Sequence, residues 1–183
     1  MKPFVSKAEL ITSMDMMGDL LSFLATGDAT GGRSAFFIHT SKPGNEPPPH
    51  LHEREHETFF ILEGILEFYC DGKIMLAGPG ELVFLPANVA HAFFIRTASA
   101  KMLTCLQASG NRAVGLDKYL AEVSKPAESM AIAEESSAYT GGVPEKVITS
   151  AIKNGIKMLS PEEVTAQLPD YPGFGTKRDL IYA

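Results

Sequence analysis

The stretch "PPPHLHEREHETFFILEG", Pro47 to Gly64, holds three of the chain's five histidines, His50, His52 and His56, with Glu53, Glu55 and Glu57 interleaved. Side chains of a β-strand alternate faces with a period of two. His50 and His52 therefore share a face, and if Glu57 faces the interior then His56 faces away. The three prolines remove backbone donors and stiffen the approach to the first imidazole. Two imidazoles presented in a fixed geometry, with a carboxylate beside them, suit a divalent transition metal. His56, Glu53 and Glu55 read as solvated neighbours, with the two glutamates in an exposed loop.

A good site needs a further donor. His91 offers one from a strand entered through "LPANVAH". Three neutral imidazoles and one carboxylate oxygen leave positions open for water, O2 or substrate. Fe, Mn, Co, Ni, Cu and Zn all accept such ligands, so the ligand set implies one divalent metal per chain without naming it. His39, in "SAFFIHT", is expected as a satisfied core or edge histidine.

Outward from these segments, residues from about Gly18 to Leu106 read as β structure. "DLLSFLA" and "SAFFIHT" flank the turn-rich "TGDATGGR", as in a long hairpin. "EFYC" and "KIML" flank Asp71-Gly72, a two-residue hairpin turn whose central positions need positive φ. Many short strands at near-regular spacing predict an all-β sandwich or barrel. After Gly110 the texture changes. "GLDKYLAEV" has helical spacing, and "PEKVITSAIKNGIKML" places Val147, Ile148, Ala151, Ile152 and Ile156 on one helical face. Ser160, Pro161 and Glu163 form a capping box. The expected organisation is an N-terminal segment over 1–17, a β domain over 18–110 and a helical or irregular C-terminal extension over 111–183.

The two histidine-bearing segments resemble the cupins. Gly44, His50, His52, Glu57 and Gly64 keep the spacing of that family's first motif. Gly80, Pro86 and His91 keep that of the second, with Asn88 where the family has glycine and Ile95 where it has asparagine. Asn88 is compatible, because Asn visits the left-handed region more readily than most residues. The resemblance implies a double-stranded β-helix, a jelly-roll barrel, with His50, His52, Glu57 and His91 as metal ligands. Over residues 18–125 the chain is similar to single-domain quercetin 2,3-dioxygenase-like cupins. That likeness implies a metal-dependent dioxygenase cleaving a flavonol or similar enolisable aromatic with O2, with Glu57 as the catalytic base. It also implies a homodimer. Another metal-dependent cupin enzyme (isomerase, decarboxylase or lyase) and a non-catalytic ligand-binding cupin are the alternatives.

Strand parity assigns a pocket for a small aromatic or polyphenol substrate. Phe59 and Ile61 share the parity of Glu57, and Phe93 and Ile95 share that of His91. Phe37 and either Phe68 or Tyr69 complete the lining. Bulk composition agrees with a globular chain: of 183 residues, 45% are hydrophobic and 21% charged. The net charge is -6 and its lysines and arginines are scattered, so no nucleic-acid partner is expected. No apolar run has the length of a membrane span, and the N-terminus lacks the apolar core of a secretory signal, so a cytoplasmic location is expected. Cys70 and Cys105 read as reduced core thiols. Four of the eight methionines fall within the first 17 residues, as core filler, a mobile start or part of a dimer interface.

Overall fold

The chain is described by a computed structural model over residues 1–132 and 143–181. The parts of the expected C-terminal extension at 133–142 and 182–183 lie outside the described residues. Two antiparallel sheets carry the fold. The first contains β1 (Ser13–Met16), β2 (Asp19–Ala25), β3 (Ser34–Ser41), β5 (Glu55–Glu63), β8 (Leu82–Leu85), β10 (Ala100–Ala108) and β11 (Lys125–Pro126), in the order β11-β1-β2-β3-β10-β5-β8. The second contains β4 (His50–His52), β6 (Leu66–Cys70), β7 (Lys73–Ala77), β9 (His91–Ile95) and β12 (Ile156–Met158), in the order β12-β4-β9-β6-β7.

No ladder joins the two sheets among the described residues. The jelly roll expected from the sequence is therefore not a closed barrel. Its sheets meet through side chains instead. Phe59, Ile61, Leu85 and Met102 from the first sheet pack with Leu66, Phe68, Phe93 and Ile95 from the second. Each of these is at most 3% exposed, so alternate residues of β5, β6 and β9 point into the core between the sheets. Phe59, Phe68 and Phe93 form a triangle with ring centroids 5.4–5.8 Å apart, within the range of favourable aromatic pairing.

Local turn chemistry sets the registers. Asp71 and Gly72 both adopt positive φ, 52° and 65°, and close the β6–β7 hairpin as its sequence requires. Asn88 has φ 63°, and its N–H donates to the His52 carbonyl at 2.8 Å. The segment before His91 is thereby tied to the strand bearing His50 and His52.

The C-terminal region is only partly helical. Helices α1 (Leu116–Val123), α2 (Glu145–Asn154) and α3 (Pro161–Gln167) are short, and β11 and β12 each add a strand to a sheet. The helical face expected to run through Ile156 stops earlier. Gly155, at φ 82°, ends α2, and Ile156 opens β12. Val147, Ser150, Ala151 and Asn154 form the buried face, while Ile148 and Ile152 are 40% and 69% exposed. Ser160 caps α3 as the capping box predicts: its hydroxyl accepts from the Glu163 N–H at 3.3 Å, and the Glu163 carboxylate accepts from the Ser160 N–H at 3.0 Å.

Two faces are covered by this region. Leu116, Tyr119, Leu120, Val147 and Ala151 pack on Leu21, Phe37 and Leu106 at one end of the sandwich. Leu168 and Tyr171 cover Tyr69 and Phe94 on the outer face of the second sheet. No helix of the described residues is long and apolar enough to cross a membrane.

Candidate metal centre

β4 is clamped on both edges. It pairs with β9 through His50 opposite His91, and with β12 through Ile156 opposite His52 and Met158 opposite His50. Both edges of this three-residue strand are thus held, which fixes its two inward imidazoles. Glu57 reaches the same space from β5 in the facing sheet. One potential ligand atom from each of His50, His52, Glu57 and His91 lies within 4.8 Å of the others, and all four residues are buried. The imidazole centroids are 4.5–5.2 Å apart.

The hydrogen bonds behind the rings define which nitrogens face the centre. His50 Nδ1 donates to the Pro48 carbonyl at 2.8 Å, and His91 Nδ1 donates to the Val89 carbonyl at 3.0 Å. A carbonyl can only accept, so each Nδ1 carries the proton and each Nε2 presents a lone pair. His52 Nδ1 faces the Glu55 carboxylate at 3.3 Å, with the same consequence. Nε2 of His52 and of His91 have no hydrogen-bond partner. They lie 3.4 and 3.6 Å from Glu57 Oε2, too far for a strong bond. With the rings neutral, three lone pairs and a carboxylate thus converge, buried, without a donor between them. Buried acceptors left in this state are costly unless a cation completes them. The donor set therefore fits a divalent transition metal held by His50, His52, Glu57 and His91.

Electrostatics in the same space point the same way. Without a cation, burial opposes charge on His52, but hydrogen bonds and attraction from Glu55 and Glu57 outweigh it and raise the imidazole to about 9, so a proton takes the place at Nε2 that a cation would fill. Burial, followed by repulsion from His91 and His52, holds His50 well below its ordinary value. Burial disfavours charge on Glu57 too, but His52 and His91 hold its carboxyl well below the usual carboxylate range. The pocket thus favours a carboxylate and positive charge beside it.

Glu55 departs from its sequence expectation. It is fully buried, whereas Glu53 is exposed. Its carboxylate accepts from the N–H groups of Gly115 (3.0 Å) and Leu116 (2.9 Å) at the start of α1, while also orienting His52. It supplies the cap that α1 lacks locally, since Gly115 has no side chain to do so. Its parity with Glu57 was the available signal: two residues apart on one strand, both face inward. His56, on the opposite parity, points outward, where it accepts from the Ala87 N–H and stacks on Phe84. Glu55→Ala is expected to weaken metal affinity by roughly 10–100-fold, as loss of an orienting partner does. It should also destabilise the metal-free fold by about 3 kcal/mol, because two buried N–H groups lose a charged acceptor. Metal titration and thermal unfolding of the apoprotein read the two effects separately, and no change in either would remove Glu55 from both roles.

A cavity of about 70 Å³ adjoins the cluster, bordered by His50 and Glu57 and by apolar groups that include Leu21, Phe37, Phe59, Phe93, Leu116 and Tyr119. Phe37, Phe59 and Phe93 thus line it. Ile61 and Phe68 do not; they lie in the core between the sheets. The wall contributed by α1 and β12 was not foreseen. No lysine or arginine borders the cavity among the described residues.

Comparison with known proteins agrees with the folded shape. The family model described as "Cupin domain" matches residues 37–106. A 92-residue segment, 50% of the chain, is 29% identical to quercetin 2,3-dioxygenase of Bacillus subtilis (strain 168), of which it covers 27%. The chain thus spans about a quarter of the length of that curated relative. Among solved structures, a protein described as a predicted oxalate decarboxylase from Thermotoga maritima aligns over 58% of this chain and 100% of its own, with TM-score 0.51 and 22% identity. An RmlC-like cupin from Shewanella frigidimarina NCIMB 400 aligns over 60% and 95%, with TM-score 0.51 and 17% identity. At these identities the two structures speak for the fold alone.

Proposed function

The chain carries a cupin domain, and from that premise we propose that it is a metal-dependent dioxygenase of the quercetinase kind, acting on an enolisable aromatic hydroxyl compound with O2. The observation that carries this reading is the ligand cluster opening onto a largely apolar cavity that no lysine or arginine borders among the described residues. An anionic or phosphorylated substrate would call for lysine or arginine in the walls, so an isomerase or decarboxylase of such substrates is less well served. The distant likeness to quercetin 2,3-dioxygenase supports the same reaction class.

The chain's own residues divide the work as follows. His50, His52 and His91 hold the cation, oriented by Pro48, Glu55 and Val89. When bound, a divalent transition metal supplies charge stabilisation for a substrate oxygen and a means of engaging O2. Glu57, held as a carboxylate by its neighbours, takes the proton of the substrate hydroxyl, which leaves an electron-rich enolate for attack by O2. Phe37, Phe59 and Phe93 offer flat apolar walls that position an aromatic ring and exclude water.

The size of the cavity bears on the substrate. An apolar cavity that holds one benzene ring is about 150 Å³. At about 70 Å³, this one admits an aromatic ring only when the α1 and β12 wall yields. A flavonol, with three rings, requires larger displacement of Leu116, Tyr119 and Leu120 than a single-ring substrate does. The test is oxygen uptake by protein loaded in turn with Fe, Mn, Co, Ni, Cu and Zn, in the presence of quercetin, with loss of flavonol absorbance followed in parallel. Single-ring enolisable phenols form the second arm. Turnover with at least one metal is expected. Its absence across all metals and both substrate arms would overturn the dioxygenase reading.

A further inference from the structure

His39 occupies the wall of the same cavity, on β3, and the chemistry proposed above gives it no task. Its Nε2 lies 2.8 Å from Asp19 Oδ2. The other oxygen of Asp19 accepts from Asn45 Nδ2 at 2.9 Å, and Asp19 and Asn45 are 7% and 4% exposed. β2 and β3 pair with Leu21 opposite His39, which brings Asp19 alongside the ring. A carboxylate only accepts here, so Nε2 carries a proton, and in the neutral ring Nδ1 keeps a lone pair. No hydrogen bond to that Nδ1 exists among the described residues. The arrangement is a histidine fixed in one tautomer by a carboxylate that is itself fixed by an amide, with an acceptor to spare.

Most of the remaining wall is apolar, built from leucine, isoleucine, phenylalanine, methionine and proline. The His39 side chain keeps 12% of its surface exposed, so its free nitrogen is open to water or to a ligand hydroxyl that enters the cavity. His50 and Glu57 mark one polar region of the lining; Asp19, His39 and Asn45 mark another.

We propose that His39, held by Asp19 and Asn45, is a specificity-determining binding residue that accepts a hydrogen bond from a second hydroxyl of the substrate, distinct from the hydroxyl handled by Glu57. The ligand class is an aromatic compound with two hydroxyls placed to meet both polar regions. The inference rests on the cavity being the substrate site, as the dioxygenase reading has it, but not on the reaction that follows. A hydroxyl satisfied there gains one buried hydrogen bond, and its absence leaves the imidazole acceptor unpaired. That difference corresponds to about tenfold in affinity.

The experiment is equilibrium binding to metal-loaded protein without O2, using two matched pairs of probes. Kaempferol and galangin differ by one hydroxyl on the ring remote from the 3-hydroxyl; hydroquinone and phenol differ by one hydroxyl on a single ring. Wild-type protein is expected to favour the richer member of at least one pair by about tenfold. In His39→Phe that ratio should collapse to about one, with metal content unchanged. In His39→Gln, which keeps an acceptor, part of the preference should return, and this variant guards against a folding defect in the first. Asp19→Asn should weaken the preference as well. A preference that survives in His39→Phe, or a wild-type protein that shows none in either pair, overturns the proposal. If the flavonols fail to bind but the single-ring pair shows a preference that depends on His39, the proposal stands and the flavonol version of the dioxygenase reading falls. If binding follows the expected pattern but no probe is turned over with O2, the proposal again stands and the reaction class is at fault.

Discussion

His91→Ala is expected to abolish metal retention. Purified wild-type protein should carry close to one divalent metal per chain, and the variant close to none after dialysis. His91 brings one of the three imidazole lone pairs, and it comes from a different strand from the other two. Without it the remaining set is two imidazoles from β4 and one carboxylate from β5. Loss of a group that merely orients a ligand costs roughly 10–100-fold in affinity, so loss of a ligand should exceed that. The ring is 1% exposed and pairs across the ladder with His50, so truncation also leaves a void. His91→Gln fills that space and separates lost coordination from lost packing. Both variants should unfold cooperatively and both should lack metal by elemental analysis. Stoichiometric metal in His91→Gln would show that His91 is not a required ligand of the site.

The second large effect concerns Glu57→Gln. At saturating metal, turnover is expected to fall by about 10²–10⁴-fold, the usual worth of a positioned base. The amide has nearly the same shape but cannot accept the substrate proton. In the metal-free protein it also removes one of the two carboxylates, Glu55 and Glu57, that raise His52 to about 9, so the imidazole should titrate lower in the variant. Folding should survive, because Glu57 carries no helix cap and its neighbours in the cluster remain paired behind their rings. NMR titration of His52 in the metal-free variant and single-turnover rates at saturating metal test the electrostatic and the catalytic halves independently. Undiminished turnover at saturating metal would restrict Glu57 to holding the cation.

Much of this centre was legible in one dimension. The period of a strand puts His50 and His52 on one face, and Asp71-Gly72 and Asn88 announce the positive φ that their turns adopt. These are local relations, decided within a few residues by backbone geometry, and the order of neighbouring residues betrays them. Glu55 was legible too, by its parity with Glu57, but its charge argued for solvent. What kept it inside is a remote helix terminus whose N–H groups need an acceptor.

The sequence by itself determined an all-β frame and the grouping of three histidines with a glutamate. Only the tertiary structure decided that the jelly roll stays open as two sheets, and that β12 from the C-terminal region braces the ligand strand. It also decided that α1 walls the cavity and that His39 stands beside Asp19 with a nitrogen to spare. The physical reason is the range of the interactions. Alternation and turn propensity act between near neighbours along the chain. Pairing of β4 with β12 joins residues about a hundred positions apart, through hydrogen bonds and burial that any apolar strand of similar length could in principle supply.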